Sequence, residues 1–353
     1  MIWTVQPSPR PHPCGDWQST RCALTIEPWG QMPDGQLVHR LHLSGGGITA
    51  HVLTLGAIVQ DLRLDGVAYP LVLGAGQLAP YLGPMRYFGA TVGRFANRIA
   101  GGRFTLNGVT HDLSRNTPGG HCLHGGTRGA SDRIWAIEDH APDRATLSLT
   151  LPDGDMGFPG RMEVVLQVAL AEGAISFDYS ATTDADTPCS LSHHGYFVLD
   201  DSGSIAEHRL RVAAERYLPV DASTLPTGEI APVADTPFDF RSPRSLSGVA
   251  LDHNFCLTGK RVPLRPVAWL DSPRSGLAMQ VATTESGLQV YTANHLPEQG
   301  VTDHKGRPYA RHAGIALEAQ AWPDAPNRPD FPDATLRVGE TYRHVTRYSF
   351  HRL

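Results

Sequence analysis

A glutamate interrupts an apolar run in "GIALEAQAWPDAPN", residues 314–327. If this run is a strand, Ile315, Leu317 and Ala319 share one face, and Glu318 projects from the other with Ala316 and Gln320 until Pro323 ends the ladder. A carboxylate placed there is either half of a structural ion pair or a base. Histidines offer the complementary acid. His193 and His194 are adjacent in "SLSHHGYFVL", and His121 and His124 are spaced H-x-x-H in "GGHCLHGG". Neighbours on a strand face opposite ways, so His193 and His194 cannot both reach one centre, and neither HExxH nor HxH occurs. A metal centre built from the histidines and Asp252 is therefore the lesser alternative, beside half-buried imidazoles with purely structural partners. Two details favour a site. Tyr196 shares a strand face with His194, and Gly125-Gly126 lets backbone approach closely beside His124.

A third polar stretch, "GRFANRIAGGRFTLNG" (93–108), divides in two. From Gly102 onward an alternating strand, an Asn107-Gly108 turn and a second alternating strand predict a hairpin. The first half places Arg94, Asn97 and Arg98 too densely for a core strand and with too few acidic partners for a solvated helix face, which leaves a solvated turn or a piece of polar site.

The elements that must carry these groups have period two. "QLVHRLHL", "ITAHVLTL", "AIVQDLRL", "ATLSLTL", "RMEVVLQVAL", "AISFDYSA", "HRLRVAAERYL", "LAMQVATT", "LQVYTANHL" and "ETYRHVTRYSF" alternate, with Gly, Pro, Asp and Asn clusters between them. No segment sustains a helical period, so the fold class is all-β, large and antiparallel. Residues 1–20 read as an irregular arm and 21–353 as one domain, with no linker between two cores. "GAGQLA" after a strand imitates a dinucleotide fingerprint, but Pro80, Gly83 and Pro84 spoil the required helix and no acid follows at the right distance.

Composition narrows the partners. Net charge is −5 with no basic run, which argues against nucleic acid or an anionic membrane. Only Lys260 and Lys305 are present, both in turn-like contexts, so Schiff-base chemistry is disfavoured. Five widely spaced cysteines suggest no disulfide framework. No signal segment and no run of about 18 apolar residues is visible, giving an expectation of a cytoplasmic protein.

Taken in order, "GRFANRI" (93–99), "HGG" (124–126), "HHGYFVL" (193–199), "DHNF" (252–255), "QVYTAN" (289–294) and "LEAQAWPDAPN" (317–327) resemble the motifs of the aldose 1-epimerases, or galactose mutarotases. The resemblance spans about residues 35–350. It implies a single large antiparallel β-sandwich, a supersandwich with an open concave site, a free monosaccharide substrate, a monomer or homodimer, and neither cofactor nor metal. For residues 93–99 it implies a piece of that site, a polar strip at a strand end. It places a general base on Glu318, a general acid on His194, and sugar contacts on Asn97, Arg98, His124, Gly195, Tyr196, Asp252 and Gln289. Mutarotation needs one base and one acid, and modest shifts from reference pKa values of roughly 4.3 and 6.5 would poise a Glu and a His for it.

The chain departs from the family beside the acid, with His193 for Asn, Gly195 for Ser and Val198 for Asn. His193 is expected to lie behind the site, hydrogen-bonded to a neighbouring loop, and to lower the proton affinity of His194 by its charge. A non-catalytic sugar sensor, a metal-dependent isomerase and a hexose-phosphate epimerase are the competing functions.

Overall fold

The computed structural model describes residues 25–297 and 299–353, so the arm expected over residues 1–20 lies outside the described residues. Period-two alternation builds the largest sheet. In Met162–Ala171, the residues Met162, Val164, Leu166, Val168 and Leu170 are buried, and the strand pairs in continuous register with Ala174–Thr183. Glu172 and Gly173 both have positive φ, 50° and 70°, the geometry of a two-residue turn matched to the strand twist. Nine strands follow in the order 136–141, 144–151, 162–171, 174–183, 342–352, 277–283, 265–272, 209–212 and 244–245. Every pairing between named strands is antiparallel, as expected.

A six-stranded sheet packs on this one, in the order Tyr196–Phe197, Ile315–Gln320, Gly287–Tyr291, Asp252–Cys256, Arg216–Tyr217 and Ala231–Pro232. The two sheets meet where the Tyr348 hydroxyl donates to the Leu317 carbonyl at 2.9 Å and where the Phe197 and Tyr348 rings lie 4.5 Å apart. A four-stranded meander, Thr25–Gln31 to Val59–Leu64, adds its inner face to the same apolar core. Only five short 3₁₀ turns occur among the described residues, and no helix is long and apolar enough to cross a membrane. The segment at 79–82 is one such turn, so the dinucleotide reading of "GAGQLA" lacks its helix.

The hairpin expected after Gly102 is present: Arg103–Leu106 pairs with Val109–Asp112, and Asn107 and Gly108 have φ of 51° and 77°. Asn327 ties it to the strand carrying Glu318 by donating to the Arg103 carbonyl at 2.9 Å.

Candidate active site

The polar face of the six-stranded sheet assembles from register alone. Asn254 pairs with Gln289, and Gln289 with Glu318; one row over, Asp252 pairs with Tyr291, Tyr291 with Ala316, and Ala316 with Tyr196. Because side chains alternate, these residues share one face and the intervening Val290, Leu317 and Ala319 fill the core. Ile315–Gln320 is buried throughout, so Glu318 is only 2 % exposed.

His194 arrives from the neighbouring loop. Its N–H donates to the Ala90 carbonyl at 2.8 Å and its carbonyl accepts from the Gly89 N–H at 2.9 Å. Behind it, the Leu191 N–H donates to the Tyr342 hydroxyl and the Leu191 carbonyl meets His344 Nδ1 at 3.0 Å, fixing this segment to the nine-stranded sheet. Held from both sides, His194 brings Nε2 to 3.6 Å from Glu318 Oε1. Tyr87, His124 and Tyr196 pack around the imidazole, with ring centroids 6.1, 5.3 and 5.0 Å away.

His124 is supplied by the strip. Asn97 and His124 both have positive φ, and they lock each other: the His124 N–H donates to the Asn97 carbonyl at 2.9 Å, and the Asn97 N–H donates to His124 Nδ1 at 3.1 Å. The side chain of Asn116 secures the loop with three bonds, accepting from the Leu123 N–H and donating to the carbonyls of Leu123 and Gly126. Gly125 is required here, because a Cβ at its φ of 86° would fall 2.2 Å from the Gly93 carbonyl oxygen.

The Asn97 contact also settles the His124 tautomer. With Nδ1 accepting, the proton sits on Nε2, which therefore presents a donor. His124, His194 and Glu318 have ligand atoms within 4.8 Å of one another, a spacing that would suit a metal ion. A metal on His124 Nε2 would have to expel that proton and leave the buried Asn97 N–H without an acceptor, so the donor set fits a hydroxylated ligand better.

Electrostatics depart from the expectation of modest shifts. Burial pushes the Glu318 carboxyl well above the usual carboxylate range, with Asp252 adding to the rise and Arg98 opposing it. Burial likewise lowers His194 to about 4. Desolvation penalises both charged forms at once, which favours the uncharged arrangement with one proton on Glu318 and none on His194, and the two groups titrate as a coupled pair.

Several sequence expectations are corrected. Arg94 turns away from the site: its guanidinium donates to the carbonyls of Pro159 and Leu151 and to the Thr187 hydroxyl, and burial lowers its pKa to about 10. Of the strip, Asn97 and Arg98 remain. Asp324 anchors the Arg98 segment by accepting from the Ala100 N–H while its own N–H donates to the Arg98 carbonyl, so the "PD" of "WPDAPN" has a supporting task. Gly195 offers the site no side chain, because a Cβ there would point to the core, 2.6 Å from His193 Nε2 and 3.2 Å from Phe197 Cε2. His193 does lie behind the site, but it stacks on Phe177 at 4.0 Å and Nδ1 has no hydrogen-bond partner among the described residues. Burial lowers its pKa to about 3, so it carries no charge near neutrality and cannot tune His194 by charge.

Three site residues escaped sequence reading. Asn254 and Tyr291 lie two positions from Asp252 and Gln289, and extending period two through the quoted motifs would have found them, as it placed Gln320 beside Glu318. Tyr87, whose ring lies 4.7 Å from that of His124, had no sequence signal because the contact depends on the fold.

Comparison with known proteins agrees with this geometry. A family profile described as Aldose 1-epimerase matches residues 39–349. The rat protein named galactose mutarotase is 37 % identical over 93 % of this chain and 98 % of its own. The Escherichia coli K12 protein named aldose 1-epimerase is 36 % identical over 90 % of this chain and 96 % of its own. Among solved structures, an aldose epimerase homologue from C. elegans superposes with a TM-score of 0.83 at 30 % identity, covering 89 % of this chain and 99 % of that one. Galactose 1-epimerase from Lactobacillus acidophilus gives 0.80 at 26 %, covering 94 % and 99 %. With a family match over most of its length on a sheet face that gathers a buried Glu–His pair, the chain belongs to the aldose 1-epimerase family.

Proposed function

We propose that the protein interconverts the α and β anomers of a free aldose, with Glu318 as base and His194 as acid. The observation that carries the reading is the 3.6 Å separation of Glu318 Oε1 and His194 Nε2 on a buried polar face. The anomeric hydroxyl and the ring oxygen are bonded to the same carbon, so the groups that exchange protons with them must be neighbours. Ionised Glu318 takes the anomeric proton while protonated His194 gives one to the ring oxygen, and the C1–O5 bond breaks to leave the open-chain aldehyde. Rotation about C1–C2 exposes the opposite carbonyl face. Closure then returns each proton to its donor, so neither atoms nor charge need an outside reactant.

Burial makes the ionised arrangement of the pair the higher in energy, and for that reason the more reactive: a carboxylate with raised proton affinity is a stronger base, an imidazolium with lowered affinity a stronger acid. Around them, the Nε2–H of His124 and the side chains of Asn97, Arg98, Tyr196, Asp252 and Gln289 supply donors and acceptors for sugar hydroxyls. Gln289 Nε2 donates to Asp252 Oδ1 at 2.7 Å, which orients both toward a ligand. Polarimetry on freshly dissolved α-glucose, α-galactose and α-xylose tests the reading. At least one should equilibrate faster with catalytic amounts of protein, at a rate unaffected by chelator; no acceleration of any sugar contradicts it.

The pH dependence follows from the single shared proton. The rate should stay level through neutral pH and fall toward the acid side, where His194, lowered to about 4, gains a proton while Glu318 keeps its own. It should fall on the alkaline side where the last proton leaves the pair. Initial rates from pH 4 to 10 check this, and a midpoint of loss near the free-imidazole value of roughly 6.5 would contradict it.

A further inference from the structure

The segment that delivers His194 is held differently on its two edges. On one edge the backbone is paired: the Ser190 N–H donates to the Arg94 carbonyl at 3.0 Å, the Ala96 N–H donates to the Ser190 carbonyl at 2.8 Å, and Ser192 and His193 pair with Val92 and Thr91. On the other edge Leu191 turns both backbone groups to side chains of the nine-stranded sheet. Its N–H donates to the Tyr342 hydroxyl at 3.1 Å, and its carbonyl accepts from His344 Nδ1 at 3.0 Å. A phenol has one proton, so a hydroxyl that accepts from Leu191 needs somewhere else to send it. Glu285, in the turn between Leu277–Thr283 and Gly287–Tyr291, takes that proton. Its Oε1 accepts from the Tyr342 hydroxyl at 3.2 Å and from Arg261 Nε at 2.7 Å, and lies 3.8 Å from His344 Nδ1. The His344 tautomer follows as well: a carbonyl can only accept, so Nδ1 carries the proton and Nε2 accepts from the Thr346 hydroxyl at 2.6 Å.

Glu285 is 0 % exposed. Burial by itself would raise its proton affinity, but Arg261 beside it outweighs burial and holds the carboxyl below the usual carboxylate range. The same guanidinium lies over the Tyr342 ring, 4.3 Å from its centroid, so the ion pair fixes the phenol's plane as well as its proton. A buried ion pair adds little stability over apolar side chains of similar volume, so stability alone does not account for a carboxylate at this position. We propose that Glu285 is a positioning residue for the acid: it draws the Tyr342 proton away from Leu191 and so fixes the segment that sets His194 Nε2 against Glu318. The inference rests on His194 being the acid.

The test is kcat and KM for wild type, Glu285→Leu and Glu285→Gln, measured well below each protein's melting temperature. Glu285→Leu should lower kcat about tenfold, since a displacement of about 1 Å at a reacting group can cost about a hundredfold and this segment keeps its other edge. KM should change by less than about twofold, because Glu285 offers nothing to sugar. Glu285→Gln retains an acceptor oxygen for the Tyr342 hydroxyl and should recover most of the lost kcat. An unchanged kcat in Glu285→Leu overturns the proposal, even if that variant melts earlier, and so does a Glu285→Gln variant as slow as Glu285→Leu. If Glu285→Leu does not fold, Tyr342→Phe removes the next link while keeping the ring under Arg261; the same fall in kcat is expected, and its absence overturns the proposal. Wild type and His194→Gln in the same series separate the two readings. An inactive wild type, or a His194→Gln variant with wild-type kcat, sinks the acid assignment and this inference with it, whereas unchanged kcat in the Glu285 variants of an active enzyme sinks this inference alone.

Discussion

Glu318→Gln is expected to lower kcat by about 10²–10⁴-fold, the range for removing a general base, while sugar still binds. The amide keeps the shape and can still hydrogen-bond to a hydroxyl, but it cannot take a proton at Oε1, 3.6 Å from His194 Nε2. Stability should move the other way. Glu318 is buried, and among the described residues it has no cationic partner in contact beyond the imidazole, so replacing an ionisable group with a neutral one removes a desolvation cost. The variant should therefore melt at the wild-type temperature or higher. Anomerisation rates and thermal melts with and without sugar check both halves. A variant that keeps more than about a tenth of the wild-type kcat would assign the base to another group.

Gly195→Ser is expected to destabilise by about 1–3 kcal/mol or more, the usual range for overpacking a filled core. Its Cβ would lie 2.6 Å from His193 Nε2, and the imidazole cannot retreat because Phe177 is stacked against it at 4.0 Å. The strain falls on the residue between them, His194, where a displacement of about 1 Å can cost about a hundredfold in rate. Two departures from the family pattern thus form one exchange: an imidazole at 193 occupies space that a side chain at 195 would need. His193→Asn together with Gly195→Ser should recover most of the lost stability and activity. His193→Asn alone should leave both limbs of the pH profile in place, because the buried imidazole is uncharged. Urea unfolding and kcat for the four proteins form a cycle, and additive effects would show that the two positions are independent.

Much of this architecture was legible in the sequence because alternation is local. The strands at 162–171 and 174–183 and the Asn107-Gly108 hairpin follow from residues within a few positions of one another. The strand face of Glu318 was legible for the same reason, but the local pattern left it between a structural ion pair and a base, and only the family resemblance pointed to the base. Continuity was less legible: "HRLRVAAERYL" alternates as one run, yet Arg209–Val212 joins the nine-stranded sheet and Arg216–Tyr217 the six-stranded one. Nothing local records that the chain crosses between sheets there. Arg94 was misread because its partners, the carbonyls of Leu151 and Pro159, are 57 and 65 residues away. Proton affinities were misjudged for a related reason: burial of Glu318 and His194 is set by layers packed from distant segments, and it outweighs every local cue.

The central claim is that one proton shared by Glu318 and His194 opens and closes a sugar ring. Exchange NMR on an equilibrated aldohexose, with catalytic amounts of protein, reads that step with no net reaction and no coupling enzyme. The account predicts exchange cross-peaks between the α and β anomeric protons with wild-type protein, and none above the spontaneous rate with Glu318→Gln or with His194→Gln. Equal exchange by wild type and either variant would contradict it.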